Sequence, residues 1–382
     1  MSRSLVAGFV PLVDAAPLIV AAERGFARRE GIELDLVRQA SWASLRDHLN
    51  LGYIDCAQAL APLPIAAALG VGQVRSRIVV PFVLSRGGNA ITLSTELAGE
   101  VRSANSGTVS GGAKAWARAL GIAIRQRNEP ITLAMVYPFS GHNFELRYWL
   151  ASAGIHPDQD VRVVGIPPQL MVDSMRAGQI DGFCVGEPWN SLAAVSGVGE
   201  IVARKSEIFP RGIEKVLAMS ESLLADEAAS RPLLRSLAAA AEWCDEKSNH
   251  PELASLLGRP RYLDMNPDLI AGSLRGCLPP DSGRQDPEFL YFHRFDANRP
   301  RHEEALWIAA QMRRWGQIPD DEHGTDRVSG VFRPEAYARI FGASDSSQCP
   351  ITACDRIDFD GSSITDYLRY FELSTPFGSV PG

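Results

Sequence analysis

The chain has 382 residues, enough for two domains and long for a single simple core. Hydrophobic residues make up 46% and charged residues 22%, an ordinary globular composition that excludes a low-complexity or fibrous chain. A formal net charge of −7 argues against nucleic-acid binding through a general positive field, so an anionic ligand would need a local positive site.

Residues 1–13 combine Arg3 with an apolar run and imitate a secretory signal. Asp14 interrupts that run, Pro11 and Pro17 flank it, and residues 18–25 continue directly into an amphipathic helical pattern, so the expectation is a start without an export signal. No run approaches the roughly eighteen apolar residues of a membrane span. Residues 5–10 read as a strand, 16–29 as a helix, and 32–37 as a strand with Ile32, Leu34 and Leu36 on one face. Ser41 is placed to cap a helix from Trp42 that Gly52 stops, and residues 54–59 return as a short apolar strand.

A second set of elements starts near Ile91, with strands at 131–137, 161–164 and 180–185 and helices at 142–153 and 169–177. This alternation predicts two lobes with largely parallel sheets. In such sheets ligands bind beyond the carboxyl ends of strands, which here carry Ser41-Trp42, the stretch from Tyr137 to His142, Pro167-Pro168 and the stretch from Gly186 to Pro188. From Leu223 onward the reading is mainly helical, strongest at 233–244 and 303–315. Residues 259–301 read as irregular, and the tail from Ser344 as surface covering.

Enzyme motifs are absent. The glycine-rich run at 107–114 fails the phosphate-loop pattern, because Ala113 separates the last glycine from Lys114 and no Ser or Thr follows that lysine. The six cysteines are scattered, and Cys349 and Cys354 lack a second pair at zinc spacing, so neither a disulfide framework nor a metal is expected. Taken singly, Trp42 reads as a core or interface aromatic, Lys215 as a solvated charge and Asp14 as a helix cap. Glu187 before Pro188 has no evident acid or base partner and reads as an interlobe carboxylate. His142 stands alone at a helix start, where N–H groups and the helix dipole favour an anion.

Together these stretches resemble the nitrate- and bicarbonate-binding proteins of ABC importers, the NrtA/CmpA-like family. The likeness is carried by Gly8 to Asp14 with Ala16-Pro17-Leu18, Ala40 to Asp47, Leu60 to Pro64, His142 to Leu150, Pro167-Pro168-Gln169 and Cys184 to Asn190, covering most of residues 5–250. It implies a type II periplasmic-binding-protein fold: an α/β chain of two lobes about a cleft, with residues 1–90 plus 206–382 in lobe I and 91–205 in lobe II. It further implies that Trp42, His142 and Lys215 hold an oxyanion beside Gly141, with Pro168 lining the wall. Asp14, Glu187 and Pro188 would support the cleft.

The family's glutamine position falls on Asn89 in Gly88-Asn89-Ala90, one methylene shorter. Lysine at 215 favours nitrate or nitrite, which offer only acceptors, over bicarbonate, which also carries a hydroxyl donor. The start of the chain resembles the family's NasS-like branch. That likeness implies a cytoplasmic nitrate or nitrite sensor that holds a NasT-like RNA-binding antiterminator until ligand arrives, with no cofactor and no membrane insertion. The alternatives are the binding subunit of a nitrate importer and an enzyme on the same fold, such as a thiamine-pyrimidine synthase. The enzyme would need a reactive His/Cys cluster or metal set.

Overall fold

Apolar strands alternating with amphipathic helices build two sheets, each carrying its own helices. The computed structural model describes residues 3–72, 74–278, 286–319, 325–342 and 350–374. In chain order the strands are β1 (Arg3–Phe9), β2 (Ile32–Arg38), β3 (Cys56–Leu60), β4 (Ile78–Gly87), β5 (Asn89–Ser94), β6 (Ile131–Met135) and β7 (Val161–Gly165). They continue with β8 (Gly182–Gly186), β9 (Gly199–Arg204), β10 (Ile213–Ser220), β11 (Leu290–Tyr291), β12 (Ile351–Thr352) and β13 (Asp358–Phe359).

The lobe I sheet has the order β11-β4-β10-β3-β1-β2 and the lobe II sheet the order β7-β6-β8-β5-β9. Parallel pairing holds where βαβ units build the sheets, at β1–β2, β1–β3, β6–β7 and β6–β8. The other pairs are antiparallel: β3–β10, β4–β10, β4–β11, β5–β8 and β5–β9. The sheets are therefore mixed, not largely parallel. The reason is topological. β5 and β10 follow the chain's two passages between the sheets, so they start at the seam where the parallel strands end and run the opposite way.

The first passage is the turn at Gly87 and Gly88, with φ of 74° and 86°. Glycine is needed at 87, because an added Cβ would collide with the Phe289 carbonyl oxygen. The second passage is the segment between β9 and β10. The helix expected over 16–29 is split into Ala16–Glu23 and Phe26–Arg29 by Gly25 at a φ of 72°, outside helical space. Ser41 caps Trp42–Asn50 as its sequence predicts, accepting from the Ser44 N–H at 3.1 Å.

The helix Glu227–Asp245 packs against Ala16–Glu23, burying Leu233, Leu234, Leu237 and Cys244. The stretch read as irregular contains a helix, Pro267–Leu274, and β11. Ser344 lies outside the described residues, but residues 350–374 do more than cover a surface. Tyr367 and Phe371 join an aromatic cluster with Tyr148, Phe209 and Trp307, which ties the C-terminal segment to both lobe II and the second passage.

Candidate functional site

Local sequence directs several polar side chains into the seam between the sheets. The Ser41 cap sets Trp42 at the first position of its helix, and Ser140 does the same for Gly141–Ala151, accepting from the Asn143 N–H at 3.1 Å and placing Gly141 and His142 in the first turn. Asp14 follows β1, Asn89 opens β5, and Lys205 follows β9. On β10 the register against β4 shifts on either side of Lys215, and the adjacent side chains of Glu214 and Lys215 both reach the seam.

There they form one buried chain of charges. Lys215 Nζ lies 2.9 Å from Asp14 Oδ2, 2.7 Å from Glu214 Oε1 and 5.5 Å from the centroid of the Trp42 ring. Asp14 Oδ1 accepts from Gln58 Nε2 at 2.5 Å. Lys205 Nζ bridges Glu214 Oε2 at 2.5 Å and Glu145 Oε1 at 2.6 Å, and donates to the Ile213 carbonyl at 2.9 Å. Asn89 Nδ2 closes the chain on the Glu145 oxygens at 3.1 and 3.0 Å. Asp14, Glu145 and Glu214 thus face Lys205 and Lys215, leaving one negative charge in excess when all five are ionised.

Burial sets the electrostatics. It pushes the Asp14 and Glu145 carboxyls up, outweighing their lysine partners. Glu214 is held well below the usual range, because Lys205, Lys215 and His142 together overcome the same desolvation. Desolvation also opposes charge on the two lysines, but their carboxylates hold both ammonium groups above the ordinary value. His142 is lowered from 6.5 to about 3, chiefly by burial, with Glu214 opposing. It is therefore neutral at physiological pH.

Three nitrogens at this seam have no hydrogen bond to any described residue: Trp42 Nε1 and both ring nitrogens of His142. Nε2 of His142 lies 3.6 Å from Glu214 Oε1, beyond hydrogen-bond range. Buried donors are rarely left unpaired, so these mark the place where a small acceptor would be held.

The structure brings together Trp42, Gly141, His142, Lys215 and Asp14, and corrects three readings. Lys215 is not a solvated charge but is fully buried and ion-paired, because a lone ammonium could not be desolvated without its carboxylates. Asp14 makes no helix cap; its side chain is spent on Lys215 and Gln58. Asn89 commits its amide nitrogen to Glu145, leaving the buried acceptor Oδ1 without a partner, so its short side chain positions a carboxylate.

Gly141 allows a close approach, since a Cβ there would stand 2.5 Å from Glu214 Oε2. Pro168, buried, sits at the lip, where the neighbouring Gln169 donates across the seam to the Ala40 carbonyl at 2.5 Å. Glu187 accepts from the Ser273 hydroxyl at 2.7 Å, and its carbonyl accepts from the Val13 N–H at 2.9 Å, so the turn into Pro188 ties lobe II to lobe I. Sequence reasoning missed Gln58, Glu145, Lys205 and Glu214. For Glu214 and Lys215 the available signal was two adjacent charges inside an otherwise apolar strand.

A cavity of about 280 Å³ lies on the far side of this chain of charges, lined by Gly141, Glu145 and Lys205 but not by Trp42, His142 or Lys215. The unpaired donors identify the seam cluster as the candidate site. Among the described residues no group of three or more His, Cys, Asp or Glu is disposed to hold a metal ion. Cys349 lies outside the described residues. No helix among them is long and apolar enough to cross a membrane.

Two lobes on mixed sheets, linked by two passages and closing on a buried polar seam, define the type II periplasmic-binding-protein class. The structure superposes on the crystal structure of the periplasmic nitrate-binding protein NrtA from Synechocystis PCC 6803 with a TM-score of 0.88, covering 97% of this chain and 98% of that one at 26% identity. The NMT1-like family matches residues 2–258. The nitrate/nitrite binding protein NrtA of Synechococcus elongatus is 30% identical over 96% of this chain and 85% of its own length. The nitrate import ATP-binding protein NrtC of a Synechocystis strain is 36% identical over 86% of this chain but 48% of its own length. The chain thus spans about half the length of the first curated relatives it matches. The chain belongs to the NMT1-like family and, within it, to the NrtA/CmpA-like substrate-binding proteins.

Proposed function

We propose that the chain is a receptor for nitrate or nitrite, held at the seam by the N–H groups of Trp42 and His142 beside the Lys215 ammonium. The observation that carries this reading is the set of buried, unpartnered nitrogens on two helix first turns, one from each lobe. Acceptor-only anions match such donors, and charge-assisted bonds of about 1.5–3 kcal/mol each offset the desolvation of the ion. The names of the NrtA relatives, nitrate/nitrite binding proteins, support the same ligand. Ligand joining groups from both lobes would favour the closed arrangement, so the protein acts by binding and not by catalysis. Burial pushes the Cys184 thiol well up, which speaks against a cysteine nucleophile beside Glu145.

The test is calorimetry with nitrate, nitrite and bicarbonate on the wild type and on Trp42→Phe, which keeps an aromatic ring at this position and removes the indole N–H together with the five-membered ring. Nitrate or nitrite binding, weakened about tenfold in the variant, is expected. Absence of both anions, or undiminished binding in Trp42→Phe, would sink the assignment.

The finer reading is a cytoplasmic sensor that releases a NasT-like antiterminator when the anion binds, supported by the resemblance of the opening segment to the NasS-like branch. The transport names of the relatives support an importer subunit instead. Co-purification with an antiterminator that collapses on adding nitrate favours the sensor, whereas ligand-dependent binding to a permease favours the importer. By linkage, partner and anion weaken each other by the same factor if the sensor reading holds.

A further inference from the structure

We propose that the cavity behind the seam is a second ligand site, built for a one-ring aromatic monocarboxylate. At about 280 Å³ it lies at the small end of ligand pockets, which run from roughly 300 to 1,000 Å³. Phe144 from lobe II, Phe209 from the second passage and Trp307 from the C-terminal helix His302–Arg314 line it, which suits a flat apolar body.

Lys205 is spent on Glu145 and Glu214 and Arg211 on Glu288, so Arg301 is the lining cation with no carboxylate partner among the described residues, and it offers a counter-charge to a monoanion. Arg86 and Glu304 pair with each other, and Arg86 also donates to the Ala297 carbonyl at 3.0 Å, so the floor is rigid. Arg301, only partly buried, is placed to meet an incoming carboxylate.

The second observation is Tyr291. It lines the cavity, is fully buried, and its hydroxyl has no hydrogen-bond partner among the described residues. Burial pushes this phenol up to about 12, so it stays protonated and can donate to a carboxylate. A hydroxyl kept buried without a partner is costly unless something accepts from it.

Position gives the site a consequence. Arg86 ends β4 ahead of the first passage, and Lys205 with Phe209 to Ile213 forms the second, so a molecule here touches both connections between the lobes. Through Lys205 and Glu145 it also adjoins the charge chain of the seam. Occupancy would therefore bias lobe closure.

Calorimetry with benzoate as probe, in buffer free of nitrate and nitrite, tests this directly. Benzamide supplies the ring without the charge, and acetate the charge without the ring. Benzoate should bind at least about tenfold more tightly than either, and Tyr291→Phe should weaken it about tenfold. That variant deletes a hydroxyl with no partner among the described residues, so its thermal stability should be undiminished. Failure of benzoate to bind, equal binding of benzamide, or equal affinity in Tyr291→Phe each overturns the proposal. Ile308→Trp, which fills the cavity, should abolish the benzoate heat, and persistent binding there places the probe elsewhere and overturns it too.

Discussion

Replacing Lys215 with methionine keeps an unbranched side chain one atom shorter and removes its charge, and the surroundings set the size of the effect. The ammonium is fully buried, 2.9 Å from Asp14 and 2.7 Å from Glu214. Without it the excess negative charge of the cluster doubles, and Asp14 keeps only Gln58. Breaking a buried pair by removing one partner costs about 3–5 kcal/mol, against about 0–1 kcal/mol for an exposed lysine. Burial already pushes Asp14 up, and losing the Lys215 ammonium removes the charge that holds it down, so protonation of Asp14 relieves part of the cost as pH falls. The loss should therefore be smaller at pH 6 than at pH 8. Urea unfolding of the wild type, Lys215→Met, Asp14→Asn and the double variant supplies the full cycle. The double variant should regain part of the loss, because it removes the orphaned carboxylate. A cost below about 1 kcal/mol, or a double variant no more stable than Lys215→Met, would refute the buried-pair reasoning.

Three further outcomes follow from the same groups. His142 is held near 3 when folded against 6.5 when free, so the unfolded chain binds more protons between these values and stability falls as pH drops below about 6.5. The full effect is on the order of 5 kcal/mol, and melting curves from pH 7.5 to 5 should show a shallower slope for His142→Leu than for the wild type. Nitrate adds negative charge to a cluster already in excess, and Asp14 and Glu145 are both disposed to accept a proton. Binding should thus take up protons and tighten as pH falls, and calorimetric heats that are identical in phosphate and Tris would contradict this. Gly87→Ala forces a residue at a φ of 74° against the Phe289 carbonyl and should lower the urea-unfolding free energy by more than about 1 kcal/mol; an unchanged midpoint would show that the first passage tolerates a side chain.

Much of the architecture was legible because it rests on short-range chemistry. Ser41 and Ser140 each precede a helix and cap it through the N–H of the third helical residue, and the alternating apolar segments become the strands they suggest. Strand direction was less legible. The periodicity of β5 or β10 is the same whether its neighbour runs parallel or antiparallel, and only the passages between sheets reverse it. The same limit governs the site. Trp42, His142 and Lys215 could be nominated from their setting, but nothing local to Lys205 or Glu145 shows that they form an ion pair at 2.6 Å.

By itself the sequence determined the two-lobe α/β class, the capped helix starts that face the seam and the family resemblance, because periodicity, capping and motif order are properties of neighbouring residues. Tertiary structure alone decided that Lys215 is neutralised by Asp14 and Glu214, that Asn89 serves Glu145, and that an aromatic cavity with the unpartnered Tyr291 hydroxyl lies behind the cluster. The physical reason is the range of the interactions. A buried charge is satisfied by whatever the fold brings within about 3 Å, and the pairs Lys215 with Asp14, Lys205 with Glu145 and Asn89 with Glu145 join segments far apart in the chain.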